Sequence, residues 1–234
     1  MKVTISHLIE GARNARGIAV IIDVFRAFST ACYVFKNGAT TIIPIGDINQ
    51  AYALKHKNPD YILIGERGGI MQSGFDYGNS PARIENINFT GKIIVQTTSA
   101  GTQGIVNATE AKEIITGSFV NADAIVSYLR WKHPSIISLV AMGHAGENMT
   151  DEDVACAEYL RDRLLGRKTD FPAIVRKLRG AESAQKFFDP SKDWAPERDF
   201  ELCMNLSAFP YVLRVEPTSD GLISFRKVSP DENL

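Results

Sequence analysis

The sequence predicts an α/β protein: three layers, α/β/α, around a mostly parallel sheet with a terminal antiparallel hairpin. Three observations carry this. Over the first two-thirds of the 234 residues, short apolar runs alternate with stretches of helix length, as in a parallel sheet covered on both faces. Polar residues gather directly after those runs, at Asp23 and Arg26, at 65–69 and at 97–102, where open α/β sheets place their ligands. Near the C-terminus two extended segments flank Ser219-Asp220-Gly221, and Asp-Gly is a strong hairpin signal.

In chain order, residues 18–23 read as a strand, followed by a helix that ends near Asn37-Gly38, with Gly38 suited to the left-handed C′ position. Residues 40–45 form a second strand, in which Pro44 favours a sheet edge or an early end. Asp47 caps a helix running to about Lys57, stopped by Asn58-Pro59. A third strand covers 61–64. From 65 to 90 no period is sustained, and Gly68, Gly69, Gly74, Gly78 and Pro81 interrupt the pattern. Irregular stretches beyond about 12–15 residues are uncommon in compact domains and are usually functional or disordered. Phe75, Tyr77 and Ile84 anchor this one, so an ordered active-site loop is expected. Strands follow near 92–96, 113–116 and 136–141, with helices near 101–110, 121–131 and 151–165. Thr150 and Asp153 have capping-box spacing, with Asp in place of Glu. After Gly166 the segment 170–206 is helical in pieces, broken at Gly180, Pro190 and Pro196. Residues 211–215 and 222–228 close the chain as the hairpin. The whole is read as one domain, with a smaller C-terminal lobe from about 167 as a subdivision.

Composition narrows the function classes. Hydrophobic residues make up 44% and the net charge is −1, so there is material for a core but no global basic field to draw nucleic acid. Cys32, Cys156 and Cys203 lie far apart with no Cys-x-x-Cys pair, against a zinc knuckle or redox motif. The opening residues lack the apolar run of a signal peptide, and no stretch reaches membrane-span length. A cytoplasmic protein with no membrane partner is expected; a homo-oligomer is compatible.

The strand ends carry the chemistry. Asp23, at the end of the first strand, suits a divalent cation, and Arg26 suits an anion through its planar fork; an N-cap with a nearby ion pair is the plainer reading. Glu66 and Arg67 repeat that pairing at the third strand, with Gly68 and Gly69 permitting close backbone approach. Asn79 and Ser80 are polar donors in the long loop, although Asn-Ser-Pro is also ordinary turn chemistry. Thr98, Ser99, Gly101 and Thr102 lie where a helix begins and form the oxyanion candidate; the Gly-Lys-Ser/Thr ending of a nucleotide-binding loop is missing. Glu152 and Asp153 open the helix near 151. Acids there usually complement the helix dipole, but these sit on the same sheet edge and within reach of a cation. His144 is an acid–base candidate, although a single loop histidine is more often incidental.

Taken together, residues 23–30, 65–69, 74–81, 97–102 and 152–157, in their order and spacing, resemble the 2-phosphosulfolactate phosphatase family. The resemblance covers residues 18–160 well, and the later part, with Phe200-Glu201-Leu202-Cys203, more loosely. It implies a Mg2+-dependent phosphatase converting 2-phospho-3-sulfolactate to 3-sulfolactate and phosphate, a step of coenzyme M biosynthesis. Phosphatases of other small acidic phosphate esters and a non-catalytic organic-anion binder are the alternatives. On this reading Asp23 and Glu66 hold metal, with Glu152 and Asp153 as second choices. Arg26 and Arg67 neutralise the small-molecule phosphate ester, Asn79 and Ser80 contact it, and residues 98–102 cradle an oxyanion. The Asp-x-Asp-x-Thr pattern of aspartyl-phosphate enzymes is missing, because position 25 is Phe, which favours attack by metal-activated water.

Overall fold

A computed structural model describes residues 1–230. A ten-stranded sheet runs through it in the order β1-β8-β2-β7-β9-β10-β3-β6-β4-β5. One parallel set comprises β1 (Lys2–His7), β8 (Ile136–Ala141), β2 (Ile18–Ile22) and β7 (Glu113–Gly117). The other comprises β3 (Thr41–Pro44), β6 (Ile93–Thr97), β4 (Ile62–Gly65) and the two-residue β5 (Tyr77–Gly78). The expected hairpin, β9 (Val212–Pro217) and β10 (Ile223–Val228), is present. It does not cap an edge but joins the two sets, with β9 beside β7 and β10 beside β3.

That position has a geometric consequence. Three successive antiparallel pairings separate β7 from β3, so the two parallel sets run in opposite senses. Their C-terminal ends nevertheless line one cavity. Sheet twist makes this feasible: at roughly 20–25° per strand pair, it accumulates to about 100–125° across the interfaces between β2 and β6.

The layers follow from alternation along the strands. In β2, Ile21 faces α1 (Leu8–Arg13), α2 (Ala27–Lys36) and α5 (Gly101–Asn107), while Val20 and Ile22 face α6 (Ala122–Lys132) and α7 (Asp151–Leu164). In the other set, Ile42, Ile64 and Ile94 join the first of these layers. Ile43, Leu63 and Val95 pack on the opposite face, under α3 (Ile48–Lys57). The helices α1, α2 and α5 therefore serve both parallel sets, and this shared layer brings the two sets' loops together.

Most expected elements lie within a residue or two of their sequence positions. Asp47 caps α3 by accepting from Asn49 N. Gly38, after α2, has φ +97°. Pro44 is the last residue of β3, which lies inside the sheet, so it marks a strand end and not an edge. The loop from 65 to 90 is ordered by β5 and by α4 (Pro81–Ile84). The segment 170–206 holds α8 (Phe171–Arg179), a 3-10 turn over Glu182–Phe187 and α9 (Glu197–Cys203). Two features go beyond the sequence reading. The chain opens on β1 and α1, for which no element was expected; β1 is an edge strand of intermediate burial with a weak apolar signal. Thr150 does precede α7, but its side chain makes no capping bond, and the Asp153 carboxylate turns to Val24 N and Gly143 N. Among the described residues no helix is long and apolar enough to cross a membrane.

Candidate active site

A cavity of about 900 Å³ opens where the two parallel sets converge, with Asp23, Arg26, Glu66, Asn79, Ser99, Glu152 and Lys186 among its lining residues. Asp23 follows β2 and is almost fully buried. Its Oδ1 accepts from Ala27 N at 2.9 Å, which closes the first turn of α2. Oδ2 stays close to Gly101, where a Cβ would stand 2.9 Å from it and 2.8 Å from the Ala27 methyl. Gly101 is thus the residue that lets α5 approach the carboxylate. Burial raises the Asp23 pKa to about 7, with the negative charges of Glu66 and Glu152 adding to the rise and the Ala27 N–H and Lys186 opposing it.

Glu66 follows β4 and is buried. Gly68 and Gly69, both at positive φ, form the tight turn between Arg67 and Ile70, a conformation that glycine adopts at little cost. The turn delivers Gly69 N to Glu66 Oε2 at 2.6 Å. Ser99 donates from its backbone N to Oε1 at 2.7 Å and from its hydroxyl to Oε2 at 3.0 Å. Glu66 is therefore aimed by three donors from two loops. Glu152, at the start of α7, accepts from the Ser183 hydroxyl. Asn79 is buried, and its Oδ1 has no hydrogen-bond partner among the described residues.

Other predicted site residues are placed differently. Arg67 does not line the cavity: its guanidinium donates to the carbonyls of Glu66 and Gly46 and to Thr97 Oγ1. It stiffens the turn that carries Glu66. Arg26 does line the cavity, but its charge is matched by Asp199, with Nη1 at 2.6 Å from Oδ2. It donates further to Trp194 O and Gly69 O. Ser80 caps α4 and donates to Asp199 Oδ1 at 2.8 Å. Asp153 accepts from Val24 N and Gly143 N, each at 2.8 Å, so it staples the loops after β2 and β8, and burial pushes its pKa well up.

The predicted oxyanion cradle is also altered. Thr98 and Thr102 bond each other reciprocally: Thr98 N donates to Thr102 Oγ1 at 2.9 Å and Thr102 N to Thr98 Oγ1 at 3.1 Å. Both are fully buried and absent from the cavity wall; Ser99 and Ala100 line it instead. The hydroxyls that looked free are satisfied within the turn. His144 lines the mouth on an exposed loop closed by a bridge to Asn148.

Sequence reasoning missed four contributors, all beyond residue 180: Ser183, Lys186, Trp194 and Asp199. Asp199 is fully buried and holds together Arg26, Ser80 and the Ala82 N–H. An acid in the first turn of α9 looks like a dipole complement, and only the fold shows its partners. Lys186 lies among aromatic rings, 5.1 Å from the Phe187 centroid and 5.9 Å from that of Phe25. The one available signal was a lone cation before Phe187-Phe188.

Comparisons with known proteins bear on the family. The family model described as 2-phosphosulpholactate phosphatase matches residues 3–217. A probable 2-phosphosulfolactate phosphatase from Bacillus subtilis is 33% identical, over 85% of this chain and 87% of the relative. One from Caldicellulosiruptor saccharolyticus is 40% identical over 74% and 72%. One from Thermoplasma volcanium is 31% identical over 82% and 86%. The match spans both parallel sets and reaches the end of β9, so every loop that builds the cavity lies within it, and the chain belongs to the 2-phosphosulpholactate phosphatase family.

Proposed function

We propose that the chain hydrolyses 2-phospho-3-sulfolactate to 3-sulfolactate and inorganic phosphate, with Mg2+ as its cofactor, in the cytoplasm. The observation that carries this is the meeting of Asp23, Glu66 and Glu152 at one cavity wall, close enough for the two glutamates to help raise the Asp23 pKa to about 7. Clustered buried carboxylates are unfavourable unless a cation shares them. Among the described residues no three His, Cys, Asp or Glu side chains form a ready-made metal cage. Mg2+ needs no such cage, since one or two carboxylates with water and substrate suffice. Asp23, whose Oδ2 makes no hydrogen bond among the described residues, and Glu66 fit that role, and Glu152 is the next carboxylate along the wall.

When bound, Mg2+ would polarise the phosphoryl oxygens and supply a more acidic water. The chain's own residues orient and exclude. Ser99 and Gly69 N–H groups hold Glu66 in one rotamer. Gly101 lets the α5 backbone close over Asp23. Asn79 offers its unpartnered Oδ1 to a donor on the bound ester or its water. Water supplies the oxygen that bonds to phosphorus, and the lactate oxygen leaves. Phe25 stands where an aspartyl-phosphate enzyme carries its second Asp, in keeping with water as nucleophile. The buried unpaired cysteines agree with a reducing compartment.

The test is phosphate release from 2-phospho-3-sulfolactate by purified protein, with Mg2+ and with EDTA, beside a panel of other small acidic phosphate esters. Mg2+-dependent release with preference for the sulfonated ester is expected. Tight binding of sulfolactate without hydrolysis under any divalent metal would instead establish a non-catalytic anion binder.

A further inference from the structure

We infer that Lys186 is the cation that receives the tetrahedral oxyanion of the substrate, an inference that rests on the reading of the cavity as a phosphatase site. The two arginines suggested by the sequence are engaged elsewhere: Arg26 is paired with Asp199, and Arg67 lies outside the cavity wall. Lys192 lines the rim, but it is exposed and pairs with Asp189 at 3.7 Å. Lys186 differs from all three. It lines the cavity and forms no salt bridge among the described residues; its one hydrogen bond is a long contact, 3.5 Å from Nζ to the Phe25 carbonyl. An ammonium group has three donors, so at least two are left for a ligand.

Its surroundings make those donors effective. The rings of Phe25 and Phe187 flank the side chain and keep water from its stem. Burial and the neighbouring Arg26 charge hold its pKa below the ordinary lysine range, while Glu152 and Asp23 pull it upward. The cavity therefore sets an under-partnered cation beside clustered carboxylates. That arrangement is complementary to a divalent cation carrying a phosphate or sulfonate oxyanion. The competing role is purely internal: Lys186 as counter-charge to Asp23 and Glu152, with no contact to the ligand.

Calorimetric titration separates the two. Inorganic phosphate and, in a second arm, methanesulfonate are titrated into wild type, Lys186→Met and Lys186→Arg, each with Mg2+ and with EDTA. Circular dichroism reports folding, and Lys186→Arg keeps the charge if Lys186→Met folds poorly. Loss of at least ~30-fold in phosphate affinity in Lys186→Met is expected, the size of a charge-assisted hydrogen bond, with Lys186→Arg recovering most of it. Mg2+ affinity without phosphate should be unchanged or tighter, because a positive charge beside the carboxylates is gone. A loss confined to methanesulfonate would assign Lys186 to the sulfonate. Unchanged affinity for both anions in folded Lys186→Met, or no binding of either anion by wild type, would overturn the inference. These binding results stand whether or not the sulfolactate ester is hydrolysed, so failure of the proposed reaction is read separately.

Discussion

Replacing Asp23 with Asn should stabilise the metal-free protein while removing turnover. Asp23 is raised from the ordinary 3.8 to about 7, so between those values the folded state holds a proton that the unfolded state has released. Stability from this carboxyl is therefore greatest below about pH 4, falls as pH rises, and is lowest above pH 7. At ~1.36 kcal/mol per pH unit the full penalty is about 4 kcal/mol. Asn has the same shape, keeps an acceptor for the Ala27 N–H and cannot ionise. Allowing for relaxation around Gly101, the gain at pH 8 should be about 1–3 kcal/mol, or roughly 2–4 °C in Tm for each kcal/mol at this chain length.

The assay is urea denaturation of both proteins in EDTA at pH 4, 6 and 8, with phosphate release measured in parallel. The gain should be near zero at pH 4 and largest at pH 8. Saturating Mg2+ should close or reverse the gap: at a concentration of 100 Kd it stabilises wild type by about 2.7 kcal/mol, against the variant's gain of about 1–3 kcal/mol, and it should stabilise the variant less. A variant that is no more stable than wild type at pH 8 in EDTA, or a gain independent of pH, would refute the reasoning. Near-normal turnover in Asp23→Asn would remove its assigned role.

Two further changes test the frame around the cavity. Asp199→Ala strands the Arg26 guanidinium, which is 3% exposed, and should cost about 3–5 kcal/mol in chemical denaturation, since breaking a buried pair leaves an uncompensated charge; a loss under 1 kcal/mol would show that Arg26 finds other partners. Gly101→Ala sets a methyl 2.9 Å from Asp23 Oδ2 and 2.8 Å from the Ala27 Cβ, so Mg2+ affinity measured by calorimetry should fall about tenfold with an overpacking cost of about 1–3 kcal/mol, and wild-type affinity would mean that α5 does not crowd the carboxylate.

Much of the local structure was legible because short-range physics decides it. Asp47 at an N-cap, Gly38 past a helix end and Asp220-Gly221 in a hairpin turn each rest on a few neighbouring residues. The apolar runs declared buried strands, and several of the polar residues after them line the cavity. Side-chain roles were less legible. Arg67 and Arg26 look alike in sequence, each beside a strand end. One donates to its own turn's carbonyl, the carbonyl of Gly46 and the Thr97 hydroxyl, and the other pairs with an acid from α9. Thr98 and Thr102 look like free hydroxyls until they are seen bonded to each other. Those partners are set by packing, not by spacing.

The sequence by itself determined the α/β class, the order of most elements and the family, and it offered Asp23, Glu66, Glu152 and Asp153 as candidate acids, because periodicity, caps and contiguous motifs are local signals. Only the tertiary structure decided that the hairpin sits in the middle of the sheet and reverses one parallel set. It alone decided that residues beyond 180 supply Lys186 and Ser183 to a cavity whose acids follow β2 and β4 and open α7, and that a buried Asp199 pairs with Arg26 of its lining. The reason is physical. A strand's apolar pattern states which faces are buried but not which strand lies beside it, and a charged side chain's role depends on the partners that the completed fold brings within hydrogen-bonding reach.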